Sequence, residues 1–236
     1  MHRDRLREKQ RLSFRSNDGW WSRGYLPHFD ASGVLQFVTI RLADSLPQAI
    51  HAQLRADLDA LNRTRNSTHK KWQAYRQKLE GYLDAGYGSC FLRRNEIAAQ
   101  IVDSITHLVA QGHSVDRWVI MPNHLHLLIS VRDGYSLSKV IRFFKGYTAR
   151  RANKLLGRSG DFWYPEFFDR YIRDARHLDQ VVRYIDDNPV KAGLVERPTD
   201  WYFGSAGQEA SGKTSLTPSS PEAQSFQFAK RLDPAD

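Results

Sequence analysis

The first clear pattern along the chain is a strand signal that gives way to helical spacing. The segment VLQFVTIRL, which begins at Val34, is apolar and β-branched and has polar residues at both ends, as expected of a strand. From Pro47 to about Leu83 the apolar residues return every three or four positions, with one break at NRTRNST. This spacing predicts a helical hairpin or an extended helical insertion over residues 46–88.

The rest of the chain predicts a further alternation of helices and strands. Asn95 is expected to cap a helix that Gly112 closes, and VDRWVIMP and HLHLLISV are then two short strands. Ser136 is expected to cap a long helix, FFDRYIRD to form another strand, and residues 177–195 a final helix. The long helix is predicted to bury one face, made by Leu137, Val140, Ile141, Phe144, Thr148, Ala152 and Leu155.

The order of the core elements is therefore β-α-β-β-α-β-α. It is the split βαβ, ferredoxin-like arrangement with one extra helix at its C-terminal end. We therefore predict an α+β fold with an antiparallel sheet, helices on one face, a C-terminal helix and the helical insertion.

Composition narrows the class of protein. The single cysteine, Cys90, excludes an internal disulfide and a cysteine-based zinc cluster. The charged N-terminus is not followed by the apolar region of a signal peptide, and no apolar run is long enough to cross a membrane. We expect a bacterial cytoplasmic protein with a basic arm at residues 1–30, one domain at 31–203 and a flexible tail at 204–236, where Gly, Ser, Thr, Pro and Gln dominate.

Positive charge is the first functional clue. The chain has 35 Lys and Arg against 26 Asp and Glu, and its pI is about 9.7. The excess lies in three segments: residues 1–16, the run from Arg63 to Lys78, and the stretch from Lys139 to Gly160, the last two without an acidic residue. Basic residues interleaved with aromatic ones suit a nucleic acid, although solvated helix faces would look similar. The candidate DNA contacts are Lys139, Arg142, Lys145, Arg150, Arg151, Lys154, Arg63, Arg65, Lys70 and Lys71.

Two histidines could hold a metal ion. His124 and His126 flank Leu125 in MPNHLHLLIS, and the period of a strand places both imidazoles on the same face. A pair of ordinary surface or core histidines would give the same pattern, so this spacing leaves both interpretations open.

The final helix supplies possible partners for this pair. Tyr184 and Asn188 are four residues apart, stack on one helix face and flank the apolar stripe, which predicts a position at the edge of the core. A divalent cation could stabilise a phenolate and polarise a phosphate, and the Asn188 amide oxygen could complete the ligand set. A tyrosine that simply covers the core is the alternative.

Several sequence blocks carry a family resemblance. VIMPNHLHLLIS looks like the histidine-hydrophobic-histidine (HUH) motif of single-tyrosine transposases. FKGYTARRANKLLG, FWYPEFFDRYIRD, YIDDNPVKAGLV and a later DW follow in order and resemble the REP-associated tyrosine transposases. RGYLPHFD and FVTIRLADSLP look like the opening of one branch of that group, so the resemblance covers roughly residues 20–203.

The resemblance implies a function and its residues. His124 and His126 match the metal-binding pair, Tyr184 matches the nucleophile, and Asn188 matches the polar ligand one turn later. It implies cleavage and rejoining of single-stranded, hairpin-forming DNA through a 5′-phosphotyrosine, with Mg²⁺ or Mn²⁺ as cofactor. Such a protein would be cytoplasmic and associated with the nucleoid.

Some alternatives stay open at this stage. Tyr171 is the best rival nucleophile, while Tyr147 and Tyr164 also lie near the matching blocks. A hairpin-binding protein without catalysis would share the fold and the charge, and a small-molecule metalloenzyme with a His-x-His site would need a third strong ligand. The sequence does not distinguish a monomer from a homodimer, and it assigns no role to the helical insertion.

Overall fold

A four-stranded antiparallel sheet organises the chain. The computed structural model describes residues 20–22, 27–29, 33–63 and 69–212. Along the chain the strands are β1 Trp20–Ser22, β2 Pro27–Phe29, β3 Gln36–Arg41, β4 Ser114–Ile120, β5 His124–Ser130 and β6 Phe168–Tyr171. The helices are α1 Gln48–Arg63, α2 His69–Asp84, α3 Asn95–Ala110, α4 Leu137–Leu155, α5 Ala175–Lys191 and α6 Ser205–Ala210, with 3₁₀ turns at Phe91–Arg93 and Pro198–Asp200.

The strand order confirms the predicted fold class. The main sheet runs β4-β5-β3-β6, and every neighbouring pair is antiparallel. The units β3-α3-β4 and β5-α4-β6 are therefore interleaved, each leaving space for one strand of the other, as in the split βαβ plan. The strands β1 and β2 form a separate antiparallel pair.

Alternation along the strands divides the core into two layers. Residues such as Ile40 and Leu127 face α3 and α4 in one apolar cluster. The intervening residues Phe37 and Leu128 face the other way and pack with Ile185 of α5. Because successive strand residues point to opposite faces, one sheet serves both layers.

The helical hairpin α1–α2 occupies the segment 46–88, as the spacing indicates. It has a small core of its own, in which Leu54 and Leu83 are buried with Leu46. The hairpin lies beside the α5 side of the sheet, since Thr39 and Phe168 line a cleft of about 240 Å³ together with residues of both helices.

Several element boundaries differ from the sequence expectation. Helix α5 begins at Ala175, because the Asp174 side chain accepts a hydrogen bond from the backbone N–H of His177 and caps the helix two residues before the predicted start. Ser136 caps α4 as predicted, but Leu155 is 43% exposed and does not belong to the buried face. Asn95 is the first helical residue rather than the cap of α3, and no side chain caps that helix.

The predicted tail boundary at residue 204 is wrong. Gly204 forms a bridge with Val119 of the edge strand β4, and the Ser205 hydroxyl exchanges hydrogen bonds with the backbone N–H and carbonyl of Trp118. These contacts satisfy the open edge of β4, so ordered chain continues through α6. Residues 213–236, like most of the predicted arm, lie outside the described residues. None of the described helices is long and apolar enough to span a membrane.

Candidate active site

The two histidines of β5 lie together on the sheet face that α5 covers. Leu125 points into the opposite cluster with α3 and α4, so His124 and His126 share the other face, as the strand period predicts. Both are buried, at 1% and 0% exposure. Their Nε2 atoms are 3.1 Å apart.

Hydrogen bonds at the far side of each ring orient this pair. The Asn123 amide nitrogen donates to the carbonyl oxygen of Tyr87 at 2.9 Å, which turns the amide oxygen of Asn123 toward His124 Nδ1 at 2.8 Å. His124 therefore carries its proton on Nδ1 and keeps a lone pair on Nε2. The Thr39 hydroxyl is hydrogen-bonded to Nδ1 of His126 at 2.9 Å and fixes the orientation of that ring.

This arrangement fits a metal ion between the two rings. Adjacent ligands with bonds of about 2.1 Å in an octahedral site are about 3.0 Å apart, close to the observed Nε2 separation. Burial lowers the pKa of His124 to about 3, and burial followed by the neighbouring His124 lowers that of His126, so both rings are neutral and able to bind a metal. Within the described part of the chain, no three His, Cys, Asp or Glu side chains form a ready-made metal cluster. The pair would therefore depend on weaker or more distant ligands.

Tyr184 reaches the histidine pair from α5. Its ring packs edge-on against His126, with centroids 5.3 Å apart, and against Phe37 at 5.8 Å. Its hydroxyl is 3.5 Å from Nε2 of His126. Burial, then the nearby carboxyl groups of Glu80 and Asp84, raise the pKa of Tyr184 above its ordinary value, so the phenol is protonated and its attack would require a proton acceptor.

Asn188 follows one turn later on the same helix and is completely buried. The sequence predicts it at the edge of the core, and the structure corrects this, because Asn188 is among the buried residues of its helix. Its amide lies close to Asp84 and Tyr184 and favours their ionised forms, but neither its oxygen nor its nitrogen has a hydrogen bond of ordinary geometry. A buried amide without partners is costly, which fits a group that would meet a ligand.

Two carboxyl groups of the insertion, which the sequence pattern did not single out, also enter the site. Glu80 and Asp84 are the only acidic residues of α2 and are one turn apart. Glu80 lies beside the Tyr184 hydroxyl, and burial raises the pKa of Glu80 to about 7. Asp84 Oδ1 is 3.8 Å from Nε2 of His124, and burial raises the pKa of Asp84 to about 6. The sequence signal for them was two acidic residues at helical spacing in an otherwise basic helix.

Arginine side chains border the other side of the site. The guanidinium of Arg170 lies 5.6 Å over the ring of Phe37, and its Nε is buried without a hydrogen-bond partner. Arg76 of α2 lies 5.6 Å over the ring of Phe168. Burial lowers the pKa of Arg170 to about 10, so it remains cationic at neutral pH. This edge of the site would attract a phosphate.

The rival tyrosines do not join this group. Tyr171 follows Arg170 on β6, and because Arg170 faces Phe37, the side chain of Tyr171 points to the opposite face of the sheet. The Tyr164 hydroxyl bonds to His51 at 2.8 Å, and Tyr147 accepts a hydrogen bond from Arg151 at 2.6 Å.

The basic face predicted for α4 is only partly free, and it lies away from the histidines. Lys145 donates to the carbonyl oxygen of Tyr164 at 2.7 Å, and Arg151 is engaged with Tyr147, so these two cations have internal partners. Because α4 packs on the sheet face opposite the histidine pair, its outer surface does not border the candidate site. The exposed candidates on described side chains are Lys139, Arg142, Arg150 and Lys154 on α4 and Arg63 and Lys71 on the insertion. Arg65 and the side chain of Lys70 lie outside the described residues.

Comparison with known proteins agrees with the resemblance. Residues 92–188 match the family described as "Transposase IS200 like". The REP-associated tyrosine transposase of Escherichia coli K12 is 29% identical over 118 residues, which are 47% of this chain and 68% of that protein. Over this part of its length the chain is similar to the REP-associated tyrosine transposases. A Haemophilus influenzae protein named for the same group is 32% identical over 98 residues, 36% of this chain and 54% of its own length.

A solved structure was also found to be similar. It is described as the REP-associated tyrosine transposase bound to a REP hairpin. The two sequences are 20% identical, the match covers 83% of this chain and 88% of that chain, and the TM-score is 0.46.

The family match begins at Leu92 and ends at Asn188, so it includes the histidine pair and Tyr184. It excludes the helical insertion with Glu80 and Asp84.

Proposed function

We propose that this chain cleaves and rejoins single-stranded, hairpin-forming DNA, with Tyr184 as the nucleophile. The observation that carries the proposal is the position of the Tyr184 hydroxyl, 3.5 Å from Nε2 of His126 and beside the convergent histidine pair. The names of the relatives supply the context, since they are transposases associated with REP sequences. The single-stranded hairpin as substrate follows from the family resemblance.

The reaction is a transesterification at a backbone phosphate. The Tyr184 oxygen forms a bond to phosphorus, the bond from phosphorus to the 3′-oxygen breaks, and the strand ends as a 5′-phosphotyrosine and a free 3′-hydroxyl. Glu80, which lies beside the phenol and whose pKa burial raises to about 7, accepts the proton of Tyr184, and the leaving 3′-oxygen takes up a proton from solvent to become the 3′-hydroxyl. A 3′-hydroxyl attacking the phosphotyrosine reverses these steps and joins a strand without a nucleotide cofactor.

His124, His126 and the amide oxygen of Asn188 would hold the divalent metal, with Mg²⁺ or Mn²⁺ favoured by the oxygen ligands. Such an ion supplies Lewis-acid polarisation of the scissile phosphate and stabilisation of the leaving oxygen. Thr39 and Asn123 hold the two imidazole rings in the orientation that directs both Nε2 atoms at this point. The buried amide of Asn188, which lacks a hydrogen bond of ordinary geometry, supports its place among the metal ligands.

Two groups of cations would divide the DNA contacts. Arg170 and Arg76 border the tyrosine, so they are suited to the phosphate that reacts. The exposed cations of α4 lie on the opposite side of the sheet and would contact backbone at a distance from the reaction.

The test is the covalent adduct. A labelled single-stranded hairpin is incubated with the protein and Mn²⁺, and denaturing electrophoresis detects protein-linked DNA. Tyr184→Phe removes only the hydroxyl and keeps the ring that packs on Phe37, so we expect the adduct to disappear while hairpin binding stays nearly unchanged.

Tyr171→Phe is the matched control, since its side chain faces the other side of the sheet, and its adduct should persist. An adduct formed by Tyr184→Phe would contradict the assignment. Hairpin binding by the wild-type protein with no adduct under any divalent metal would identify a DNA-binding protein without catalysis.

A further inference from the structure

We propose that Asp84, supplied by the helical insertion, is a further ligand of the divalent metal at His124 and His126. This inference rests on the proposed function and gives the insertion a role in it. Asp84 Oδ1 is 3.8 Å from Nε2 of His124. With bonds of about 2.1 Å, adjacent octahedral ligands are about 3.0 Å apart and opposite ones about 4.2 Å. The observed 3.8 Å lies between these two values, so a small shift of the Asp84 side chain would let it share one ion with that ring, in keeping with the absence of a ready-made three-residue cluster among the described residues.

The local structure holds the end of α2 against the histidine strand. Leu83, next to Asp84, is 1% exposed in the small core of the hairpin. Gly88 follows with φ +87°, and a Cβ there would lie 2.3 Å from the backbone oxygen of Asp44, so the chain can make this turn only with glycine.

Asn123 connects the same turn to the metal pair. Its amide nitrogen donates to the carbonyl of Tyr87, three residues after Asp84, and its amide oxygen accepts from His124. One buried side chain therefore sets both the orientation of a metal-binding ring and the position of the turn that follows Asp84. Asp84 is placed by the framework that places the histidine.

Polar atoms without partners converge at this point. Oδ1 of Asp84 is buried and has no hydrogen bond, although the Asp84 side chain is 25% exposed as a whole. Asn188, 0% exposed and close to Asp84, has an amide oxygen and nitrogen that make no hydrogen bond of ordinary geometry. Groups that the protein leaves unsatisfied in the same small volume indicate a ligand that satisfies them.

The chemistry of the resulting ligand set is specific. Two neutral imidazoles and an amide leave the full double charge of the ion uncompensated, whereas one carboxylate offsets half of it. Imidazole combined with carboxylate and amide oxygens is suited to Mn²⁺ and Mg²⁺ rather than to soft metals. The chemical class of the ligand is thus a hard or borderline divalent cation.

The experiment measures metal binding directly on the full chain. Isothermal titration with Mn²⁺ alone, without DNA, compares the wild-type protein with Asp84→Asn, which keeps the shape of the side chain. We expect the Mn²⁺ affinity to fall at least tenfold. The matched control is Asp57→Asn, because Asp57 belongs to the same hairpin but pairs with Lys78 at 2.7 Å, and it should bind Mn²⁺ like the wild type.

Thermal denaturation without metal separates a ligand from a structural residue. Since Oδ1 of Asp84 has no partner, Asp84→Asn should leave the metal-free melting temperature unchanged or higher and should reduce only the increase that Mn²⁺ produces. A lower metal-free melting temperature together with wild-type Mn²⁺ affinity would overturn the inference. If His124→Ala abolished Mn²⁺ binding in that case, the proposed function would stand; if the wild-type protein bound no Mn²⁺, both would fail.

Discussion

Replacing Thr39 by valine tests whether the groups behind the metal pair matter. The Thr39 hydroxyl is 2.9 Å from Nδ1 of His126, and the two residues are 6% and 0% exposed. Valine has nearly the same shape, so the substitution leaves no cavity and removes only the hydrogen bond. Nδ1 of His126 would then be buried without a partner.

The magnitude follows from that lost bond. Leaving one buried polar atom unsatisfied costs about 1–3 kcal/mol of folding stability. Loss of a group that orients a metal-binding histidine weakens metal affinity about 10- to 100-fold, which is about 1.4–2.7 kcal/mol. Thr39→Val should therefore reduce both the free energy of unfolding and the Mn²⁺ affinity, and it should reduce adduct formation at limiting Mn²⁺.

The assay pairs urea denaturation with isothermal titration of Mn²⁺. Thr106→Val is the control, because Thr106 is also buried but its hydroxyl only donates to the carbonyl of Val102 within α3. That variant should keep the wild-type Mn²⁺ affinity. If Thr39→Val lost stability but bound Mn²⁺ as tightly as the wild type, the hydrogen bond would serve packing alone and the reasoning would be refuted.

The remaining predictions concern charge. Arg170→Gln should slow adduct formation and change hairpin affinity little, because its guanidinium borders Tyr184; equal rates in a single-turnover assay would contradict this. Three exposed cations of α4 can be replaced together by glutamine: Lys139, Arg142 and Arg150. The triple variant should bind unrelated hairpins more weakly by similar factors, and the slope of log affinity against log salt concentration should flatten by about 0.7–0.9 for each phosphate contact removed. An unchanged slope in a salt titration would exclude this surface as a DNA contact. Burial, followed by the charge of Arg132, lowers the pKa of His113 to about 4, so the folded protein keeps this ring neutral. As the pH falls from about 6.5 to 4, the unfolded chain binds a proton here that the folded chain does not, and the free energy of unfolding should fall by up to about 1.4 kcal/mol per pH unit. His113→Gln should flatten that part of the profile in urea denaturation at pH 5 and pH 7.5, and an unaltered profile would show that His113 does not titrate there.

Single-element periodicity accounts for what could be predicted. The alternation in HLHLLIS determines that His124 and His126 share a face, because a strand reverses its side chains at every residue. The same reasoning places Tyr184 and Asn188 on one side of α5, and the order of the elements is enough to indicate the split βαβ sheet. These features depend only on neighbours in the chain.

The arrangement of the site depends on contacts between distant elements. Periodicity shows which residues share a face, but it does not show which other element packs against that face. For this reason Glu80 and Asp84 were missed, since only the packing of α2 beside α5 brings them to the histidines. Asn123 was missed as well, because its role depends on a carbonyl in a turn 36 residues earlier.

Local sequence thus determined the histidine pair, the tyrosine helix and the sheet that carries them. Tertiary structure decided the rest: that Tyr171 faces away, that α4 presents its cations on the far side of the sheet, and that an insertion without a predicted role supplies two carboxyl groups to the site. The physical reason is that helix and strand geometry are fixed by the backbone within a few residues. The packing of one element on another is decided by the shapes and buried areas of side chains far apart in the chain.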